Sequence, residues 1–354
     1  MAIDMTPRER ALAVYSFKET DVQCFDLMEG TFWPELTDDF IKKYRMSDPE
    51  KIQTALGSDF RWTIFQTRFS DNPGQSGGDG TFSDELGDRM LKSAETVADV
   101  RSLMQLDPNM VKIPDFKQLR LNHPDKALIC CPGWMPAFSG ACEDFGMVKA
   151  LSLMALEPEM IEEYVRIKKD YAVEIIKRCI SAGAAKYCDF LWLGDDFSGE
   201  STMLLSPDMW RELFKPALKE QVQGARNAGL MVMFHSCGYV APVYEDFIEM
   251  GINAHIGVQT SCPDMSAEQL ADKIGGRLVI HGGVDAQKTL VEENFEGVIA
   301  QTKRNIKAFS KCGGYVVSNS HHGMADIGAE KIVAMSIGAG RWNTSLGFHT
   351  DFKE

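Results

Sequence analysis

Positive charge is scarce in this chain of 354 residues. Lys and Arg together number 37, against 51 Asp and Glu, and the formal net charge is -14 at pH 7. A protein that binds nucleic acid needs a basic face to displace counterions from the phosphates. The composition therefore excludes nucleic-acid binding as an expected function.

Extended apolar stretches are also missing. The N-terminal sequence "MAIDMTPRERALAVYSF" mixes charges with short apolar runs, and no later run approaches the length of a membrane-spanning helix. The nine cysteines are an odd number and are scattered along the chain, so we expect reduced thiols or metal ligands rather than a disulfide framework. These features favour a cytoplasmic protein without a membrane partner.

No glycine-rich phosphate-binding turn, neither G-x-G-x-x-G nor a P-loop, joins a predicted strand to a predicted helix, which argues against a doubly wound sheet. From residue 127 onward, short apolar runs alternate with longer amphipathic segments, a pattern typical of repeated β-α units around a parallel sheet. The pattern predicts long helices at 158–183 and 207–229 and strands at 127–131, 187–193, 230–236, 252–259, 277–283 and 314–320.

We therefore predict an α/β fold, a (β/α)8 TIM barrel with an N-terminal extension, forming one domain over residues 1–354. Residues 1–120 are expected to supply the entry segment, early units and loops, and residues 121–345 the core of the barrel. The active site of such a barrel lies at the carboxyl ends of its strands. Polar residues occur near these predicted ends: Asp195, Asp196, His235, Cys237, Gln259, His281, Asp285, His321 and His322.

His235 and Cys237 are separated by one residue on an extended segment, so their side chains leave the same face and could bind one metal ion. The alternative is structural, because a buried Cys often acts as a small hydrophobe and a His can satisfy a backbone carbonyl. A metal site needs a third ligand from another strand end. His321 is the candidate.

The chain resembles the uroporphyrinogen decarboxylase superfamily in four successive segments: "GDDFSGESTMLLSPDMWRELFKPALK", "FHSCGYVAPVYEDFIEMGINAHIGVQT", "GGRLVIHGGVD" and "GGYVVSNSHHGMADIGAEKIVAM". The resemblance covers roughly residues 120 to 340 and implies a (β/α)8 barrel. The segments "TPRERALAVYSF" and "EGTFWPEL" are similar to members encoded with corrinoid proteins, the O-demethylase methyltransferases.

In the methyltransferase branch, characterised coenzyme M enzymes bind zinc through H-x-C and a distant Cys. His235 and Cys237 match the first half, and His321 stands where the distant Cys lies. The resemblance thus implies a zinc site of His235, Cys237 and His321, together with a corrinoid (cobalamin) carried by a partner protein. We expect transfer of a methyl group from a methoxylated, aromatic substrate to Co(I), with zinc polarising the ether oxygen. Methanol, a methylamine or a methylthiol stay open as donors.

Other residues are assigned roles around this site. Asp195 and Asp196 could hold a substrate hydroxyl, protonate a leaving group, support a ligand histidine or cap the following turn. Phe32 and Trp33 are candidates for an aromatic pocket at the barrel mouth, with packing of the entry segment as the alternative. The remaining candidates match polar positions of the family and could equally hold loops: Glu200 as a catalytic residue, and Gln259 and Asp285 as substrate-binding residues.

The alternative function is decarboxylation of a tetrapyrrole. True uroporphyrinogen decarboxylases carry an R-Q-A-G-R element whose arginines hold substrate carboxylates, and this chain has no R-x-x-x-R pair. A net charge of -14 also repels a polycarboxylate. A noncatalytic binding protein is the third class. The sequence leaves open whether the protein is a homodimer.

Overall fold

The computed structural model of the protein describes residues 4–30, 34–65, 90–324 and 326–343. Within these residues, a sheet of seven parallel strands has its strands side by side in chain order. The strands are β1 (Phe60–Ile64), β2 (Ala127–Cys131), β3 (Phe190–Gly194), β4 (Met231–His235), β5 (Ala254–Val258), β6 (Val279–Val284) and β7 (Tyr315–Asn319). The six predicted strands are confirmed as β2 to β7, and β1 belongs to the entry segment.

The two edges of the sheet are linked by the segment 24–27. Phe25 forms a parallel bridge with Val317 of β7, and its carbonyl oxygen accepts a hydrogen bond of 2.9 Å from the amide of Asp59, directly before β1. The sheet is therefore curled, and this segment lies where an eighth strand would close the barrel. The parallel α/β architecture is confirmed, whereas the described strands number seven and the full eighth strand stays a prediction.

Most helices connect successive strands and cover the outer face of the sheet, whereas the first helix precedes β1 and packs with the cluster inside the curled sheet. The helices are α1 (Pro7–Val14), α2 (Pro34–Tyr44), α3 (Pro49–Ala55), α4 (Val97–Leu103), α5 (Phe116–Asn122), α6 (Phe138–Phe145), α7 (Met147–Leu156), α8 (Pro158–Ser181), α9 (Ala184–Tyr187), α10 (Pro207–Leu213), α11 (Lys215–Asn227), α12 (Tyr244–Met250), α13 (Ala267–Ile274), α14 (Thr289–Glu292), α15 (Phe295–Phe309) and α16 (Ala329–Gly338). No helix among the described residues is long and apolar enough to cross a membrane.

The two predicted long helices have different outcomes. The prediction for 158–183 is confirmed by α8. The prediction of one helix over 207–229 is wrong, because the segment forms α10 and α11, which meet at Phe214. Pro216 lies in the first turn of α11, where its missing N–H costs no helical hydrogen bond, and it favours a new helix start at this place.

The strands bury both of their faces. In β3, Phe190 and Trp192 belong to a cluster inside the curled sheet, whereas Leu191 and Leu193 pack with the outer helices. This alternation follows from the period of two in a strand. Because both faces are apolar, the strands read as continuous hydrophobic runs, and the polar residues that follow them are held at one edge.

An ion-pair cluster that joins α4 and α8 gives a prediction about acid stability: the Glu163 side chain is buried, whereas the Arg101 and Arg166 side chains are 63% and 53% exposed. The Glu163 carboxylate accepts hydrogen bonds from Arg166 and Arg101 (2.7 and 2.8 Å), and these hold its pKa at about 2, below the ordinary value near 4.5. The stabilisation is present above pH 4.5 and is lost as the pH falls toward 2. Glu163→Gln should therefore lower the free energy of unfolding by about 1–2 kcal/mol at pH 7, and by less at pH 3, in urea titrations.

The matched control is Glu162→Gln, which changes the neighbouring exposed carboxylate of α8 and should alter stability by less than about 0.5 kcal/mol. An effect of Glu163→Gln that is equal at both pH values would contradict the ion-pair account.

Candidate functional site

Three possible metal ligands meet where β3 and β4 end. Gly194 and His235 are paired in the parallel register, so Asp196 and Cys237 follow side by side. His235 Nε2 lies 3.3 Å from Cys237 Sγ and 3.4 Å from Asp196 Oδ1. The ligand atoms of these three residues all lie within 4.8 Å of one another. The structure thus brings the predicted pair His235 and Cys237 together and adds Asp196.

The neighbouring strand β5 fixes the His235 ring. Nδ1 lies 3.1 Å from the carbonyl oxygen of Ile256, and because a carbonyl can only accept, Nδ1 carries the proton and Nε2 offers its lone pair to the group. Gly257, at φ +79°, lets the ring approach, since a Cβ there would lie 2.6 Å from Nδ1. Burial lowers the pKa of His235 to about 3, so the imidazole is neutral, as metal ligation requires.

Cys237 and Asp196 are also held together. The Cys237 amide donates a hydrogen bond of 2.7 Å to Asp196 Oδ1. Burial raises the pKa of the Asp196 carboxyl and, together with the nearby Asp196 charge, raises the pKa of the Cys237 thiol well above its usual range. Both anionic forms are thus less favourable here than in water, and a bound cation would stabilise them. One thiol, one imidazole and one carboxyl group in contact are a donor set that fits zinc.

His321, the predicted third ligand, lies near this group but is not one of its three members. Its Nδ1 is buried and has no hydrogen-bond partner in the structure. Burial lowers the pKa of the His321 imidazole, and the Asp196 carboxylate acts in the opposite direction. A buried ring nitrogen without a partner is unfavourable unless a ligand satisfies it. The role of His321 as a metal ligand stays a prediction.

Asp195 points to α6 instead of joining the three-residue group. Its carboxylate accepts hydrogen bonds from the amides of Ala137, Phe138 and Ser139 (3.1, 2.7 and 2.9 Å) and from the Ser139 hydroxyl (3.1 Å). Burial raises its pKa to about 6. Asp195 therefore caps the start of α6, although the sequence suggested a cap on the following turn, and its predicted catalytic role stays a prediction.

Gln259 holds loops at the mouth of the sheet. Its side-chain oxygen accepts a hydrogen bond from the Gly238 amide, and its nitrogen donates to Gln287 Oε1 at 3.1 Å. Glu200 lies exposed in the loop after β3. Substrate binding by Gln259 and catalysis by Glu200 stay predictions.

Asp285, like Gln259, forms hydrogen bonds with loop residues at the mouth of the sheet. Its Oδ1 accepts from the amides of Gln287 and Lys288 (2.8 and 2.7 Å), and its Oδ2 accepts from the Ser261 hydroxyl. These bonds order the loop after β6, and substrate binding by Asp285 is untested. Phe32 and Trp33 lie outside the described residues, so the predicted aromatic pocket is untested as well.

Two tryptophans that the sequence analysis missed flank the metal-ligand group. Trp192 of β3 stacks with His235 (ring centroids 6.1 Å apart, interplanar angle 22°), and Trp134 approaches the same ring edge-on at 6.1 Å. Trp134 lies three residues beyond β2, and Trp192 faces the sheet interior. Neither tryptophan is a polar residue at a predicted strand end, which is the signal by which the other site candidates were found in the sequence.

Glu29 also approaches the site from the N-terminal segment. It has the left-handed backbone conformation (φ 63°), and its carboxylate lies 3.9 Å from His322 Nδ1. Burial, with a smaller effect of the Asp196 charge, raises the pKa of Glu29 to about 7. A non-glycine residue in this conformation is strained, which is more frequent at functional sites than elsewhere, but no sequence pattern marks it.

His281 does not belong to the site. Its ring is fully buried, with Nδ1 3.0 Å from the Tyr15 hydroxyl and Nε2 3.1 Å from Asp26 Oδ2. This network joins α1, the closing segment 24–27 and β6. His281 is therefore a structural histidine, although it is one of the polar residues that the sequence places near the predicted strand ends.

Comparisons with known proteins agree with this fold. Residues 138–337 match the model of the uroporphyrinogen decarboxylase (URO-D) family. A solved structure described as a methyltransferase from Methanosarcina mazei superposes with a TM-score of 0.63 at 16% sequence identity, covering 95% of this chain and 99% of that one. A 3-keto-L-gulonate-6-phosphate decarboxylase from Vibrio cholerae gives a TM-score of only 0.31 at 12% identity, over 64% of this chain and 78% of that one, which is too low to support an argument.

No curated protein sequence gives a significant match. The family match nevertheless spans more than half of the chain and includes every member of the metal-ligand group. The resemblance inferred from the sequence motifs is confirmed: the protein belongs to the uroporphyrinogen decarboxylase family.

Proposed function

We propose that the protein is a zinc-dependent methyltransferase that moves a methyl group from a methoxylated aromatic compound to the cobalt of a partner corrinoid protein. The observation that carries this proposal is the convergence of Asp196, His235 and Cys237 at the carboxyl ends of β3 and β4. This is the edge where barrels of this class bind their substrates. The similar fold of a structure described as a methyltransferase supports the reaction class.

Asp196, His235 and Cys237 would hold the zinc ion, with His321 as a candidate fourth residue because its Nδ1 is buried without a partner. Bound there, zinc would act as a Lewis acid that polarises the methoxy oxygen and stabilises the departing phenolate. The protein's part is to keep the His235 lone pair directed at the group and to hold Cys237 beside Asp196. Both tasks are accomplished by backbone hydrogen bonds.

The two tryptophans favour an aromatic donor. The ring centroids of Trp134 and Trp192 lie 6.0 Å apart, and each lies 6.1 Å from the centroid of the His235 ring. Trp134 is partly exposed, so a substrate ring can pack against it while its methoxy group reaches the metal ligands. Methanol or a methylamine is too small to pack against these two indole rings. The aromatic methyl ether is therefore the preferred donor class.

The positions of two N-terminal arginines disfavour the tetrapyrrole decarboxylase. Arg8 pairs with Asp189 at 2.9 Å, and Arg10 pairs with Asp21 and Asp59 at 2.7 and 2.5 Å. Asp59 and Asp189 directly precede β1 and β3. These arginines are therefore engaged at the amino ends of the strands, opposite the proposed site, where they cannot hold the carboxylates of a substrate.

The proposal is tested by incubating the zinc-loaded protein with 2-methoxyphenol and chemically reduced cobalamin, which substitutes for the partner protein. We expect release of catechol, measured by liquid chromatography, and no release by protein stripped of zinc. A parallel incubation with uroporphyrinogen tests the alternative. Decarboxylation of uroporphyrinogen, without release of catechol from the ether, would replace the methyltransferase by the decarboxylase.

A further inference from the structure

We infer that His255 and Tyr244 are positioning residues that set the segment His235–Gly238 in its ligand-binding geometry before any metal arrives. The inference rests on the proposed function, because it assigns these residues to the proposed zinc site. Neither residue touches the three metal-ligand atoms. They act through the backbone of Ser236, the residue between the two ligands.

The contact with Ser236 has a defined direction. His255 Nε2 lies 2.9 Å from the Ser236 carbonyl oxygen, so this nitrogen carries the proton. Nδ1 must then accept, and it lies 3.0 Å from the Tyr244 hydroxyl, which donates. Both side chains are fully buried. The chain of two hydrogen bonds from α12 through β5 thus fixes one tautomer of His255 and one orientation of the Ser236 peptide.

Each of the other three residues in the segment also has one fixed contact. His235 donates to the Ile256 carbonyl, and the Gly238 amide donates to Gln259. The Cys237 amide donates to Asp196. Three of the four contacts come from β5 and the residue just beyond it. Residues 255–259 ("HIGVQ") therefore fix the conformation of residues 235–238 ("HSCG") through these hydrogen bonds, and Gly257 leaves room for the His235 ring.

A second pair in the same sheet offers a matched control. Tyr15 and His281 make the same bond, a hydroxyl 3.0 Å from a fully buried Nδ1, on the neighbouring strand β6. The other nitrogen of His281 contacts Asp26, which is not in the ligand segment. Tyr15→Phe and Tyr244→Phe thus delete equivalent hydrogen bonds, and only the second lies next to Ser236. A merely structural role predicts equal effects on the ligand segment.

The first measurement needs no metal. Amide hydrogen exchange of Cys237 and Gly238 in the zinc-free protein is expected to be about tenfold faster in Tyr244→Phe than in wild type, and unchanged in Tyr15→Phe. The second measurement is zinc affinity by competition with a chromophoric chelator. We expect about tenfold weaker binding in His255→Ala. His255→Gln should recover part of the loss, because its amide can still donate to Ser236.

The two readouts separate this inference from the proposed function. Equal exchange in Tyr244→Phe and Tyr15→Phe would overturn the positioning role, whatever the zinc result. A wild-type protein that binds no zinc would refute the metal proposal, while the exchange rates would still decide whether β5 orders the segment. If His255→Ala fails to fold, Tyr244→Phe and His255→Gln carry both measurements.

Discussion

His235→Ala is expected to reduce the zinc content of the purified protein from about one ion per chain to a trace and to abolish methyl transfer. The His235 Nε2 atom lies between Cys237 Sγ and Asp196 Oδ1, within 3.4 Å of both, and offers the neutral donor of the group. Without it, two partly buried groups whose pKa values are raised would have to hold the metal alone. We expect affinity to fall by more than about a hundredfold, since even indirect partners of zinc ligands contribute ten- to hundredfold. Inductively coupled plasma mass spectrometry of desalted protein measures the result.

Two further histidine variants make this result specific. His322→Ala removes a ring that lies tilted against the His321 ring, with ring centroids 4.0 Å apart, and the variant should keep its zinc. His321→Ala decides the ligand set: loss of zinc would add His321 to the group, and retention would leave Asp196, His235 and Cys237 as the ligands. Full zinc occupancy in His235→Ala would contradict the metal site itself, and the H-x-C sequence would then be a structural strand end.

Most of the sheet could be predicted from the sequence because strands buried on both faces need continuous apolar runs, as in "ALICC". Strand β1 has no such run. Its Arg61 is buried, and the charge is satisfied by Glu50 of α3 at 2.7 Å, a contact that exists only in the folded chain. The closing segment 24–27 has the same difficulty, since Asp26 is fully buried and accepts hydrogen bonds from Trp62 and His281. A strand or extended segment that contains buried charges does not appear as an apolar run, and its sequence alone does not show which distant residues pair with those charges.

The candidate site was predictable to a similar degree. The spacing of His235 and Cys237 predicts a shared face, and the structure agrees. The doublet Asp195–Asp196 could not be resolved from the sequence, because adjacent residues leave an extended chain on opposite sides and either could face the ligands. Asp196 faces Cys237, and Asp195 faces α6. Asp196 continues the interior side of β3 that carries Trp192, and Asp195 continues the side that faces the helices; the sequence alone does not show which side is the interior.

Asp195→Ala is expected to lower the free energy of unfolding by about 3 kcal/mol. The substitution removes the acceptor of three backbone amides and one hydroxyl at the start of α6, where Phe138 and Ser139 are buried from water. Each buried donor left without a partner costs about 1–3 kcal/mol, partly offset by water that enters and by relief from burying a carboxylate. Asp195→Asn keeps an acceptor oxygen and should cost about half as much. Urea unfolding followed by circular dichroism measures both.

An ordinary helix cap provides the scale for this effect. Ser206→Ala removes an exposed cap, the 3.1 Å bond to the Met209 amide of α10, and should cost about 1 kcal/mol. Asp195 should exceed this value because its donors are buried and because α6 follows the loop that carries Trp134 to the His235 ring. The Asp195→Ala variant should therefore also weaken binding of 2-methoxyphenol. A cost no larger than that of Ser206→Ala would mean that α6 does not hold the carboxylate, which would leave Asp195 free for the catalytic role predicted from the sequence.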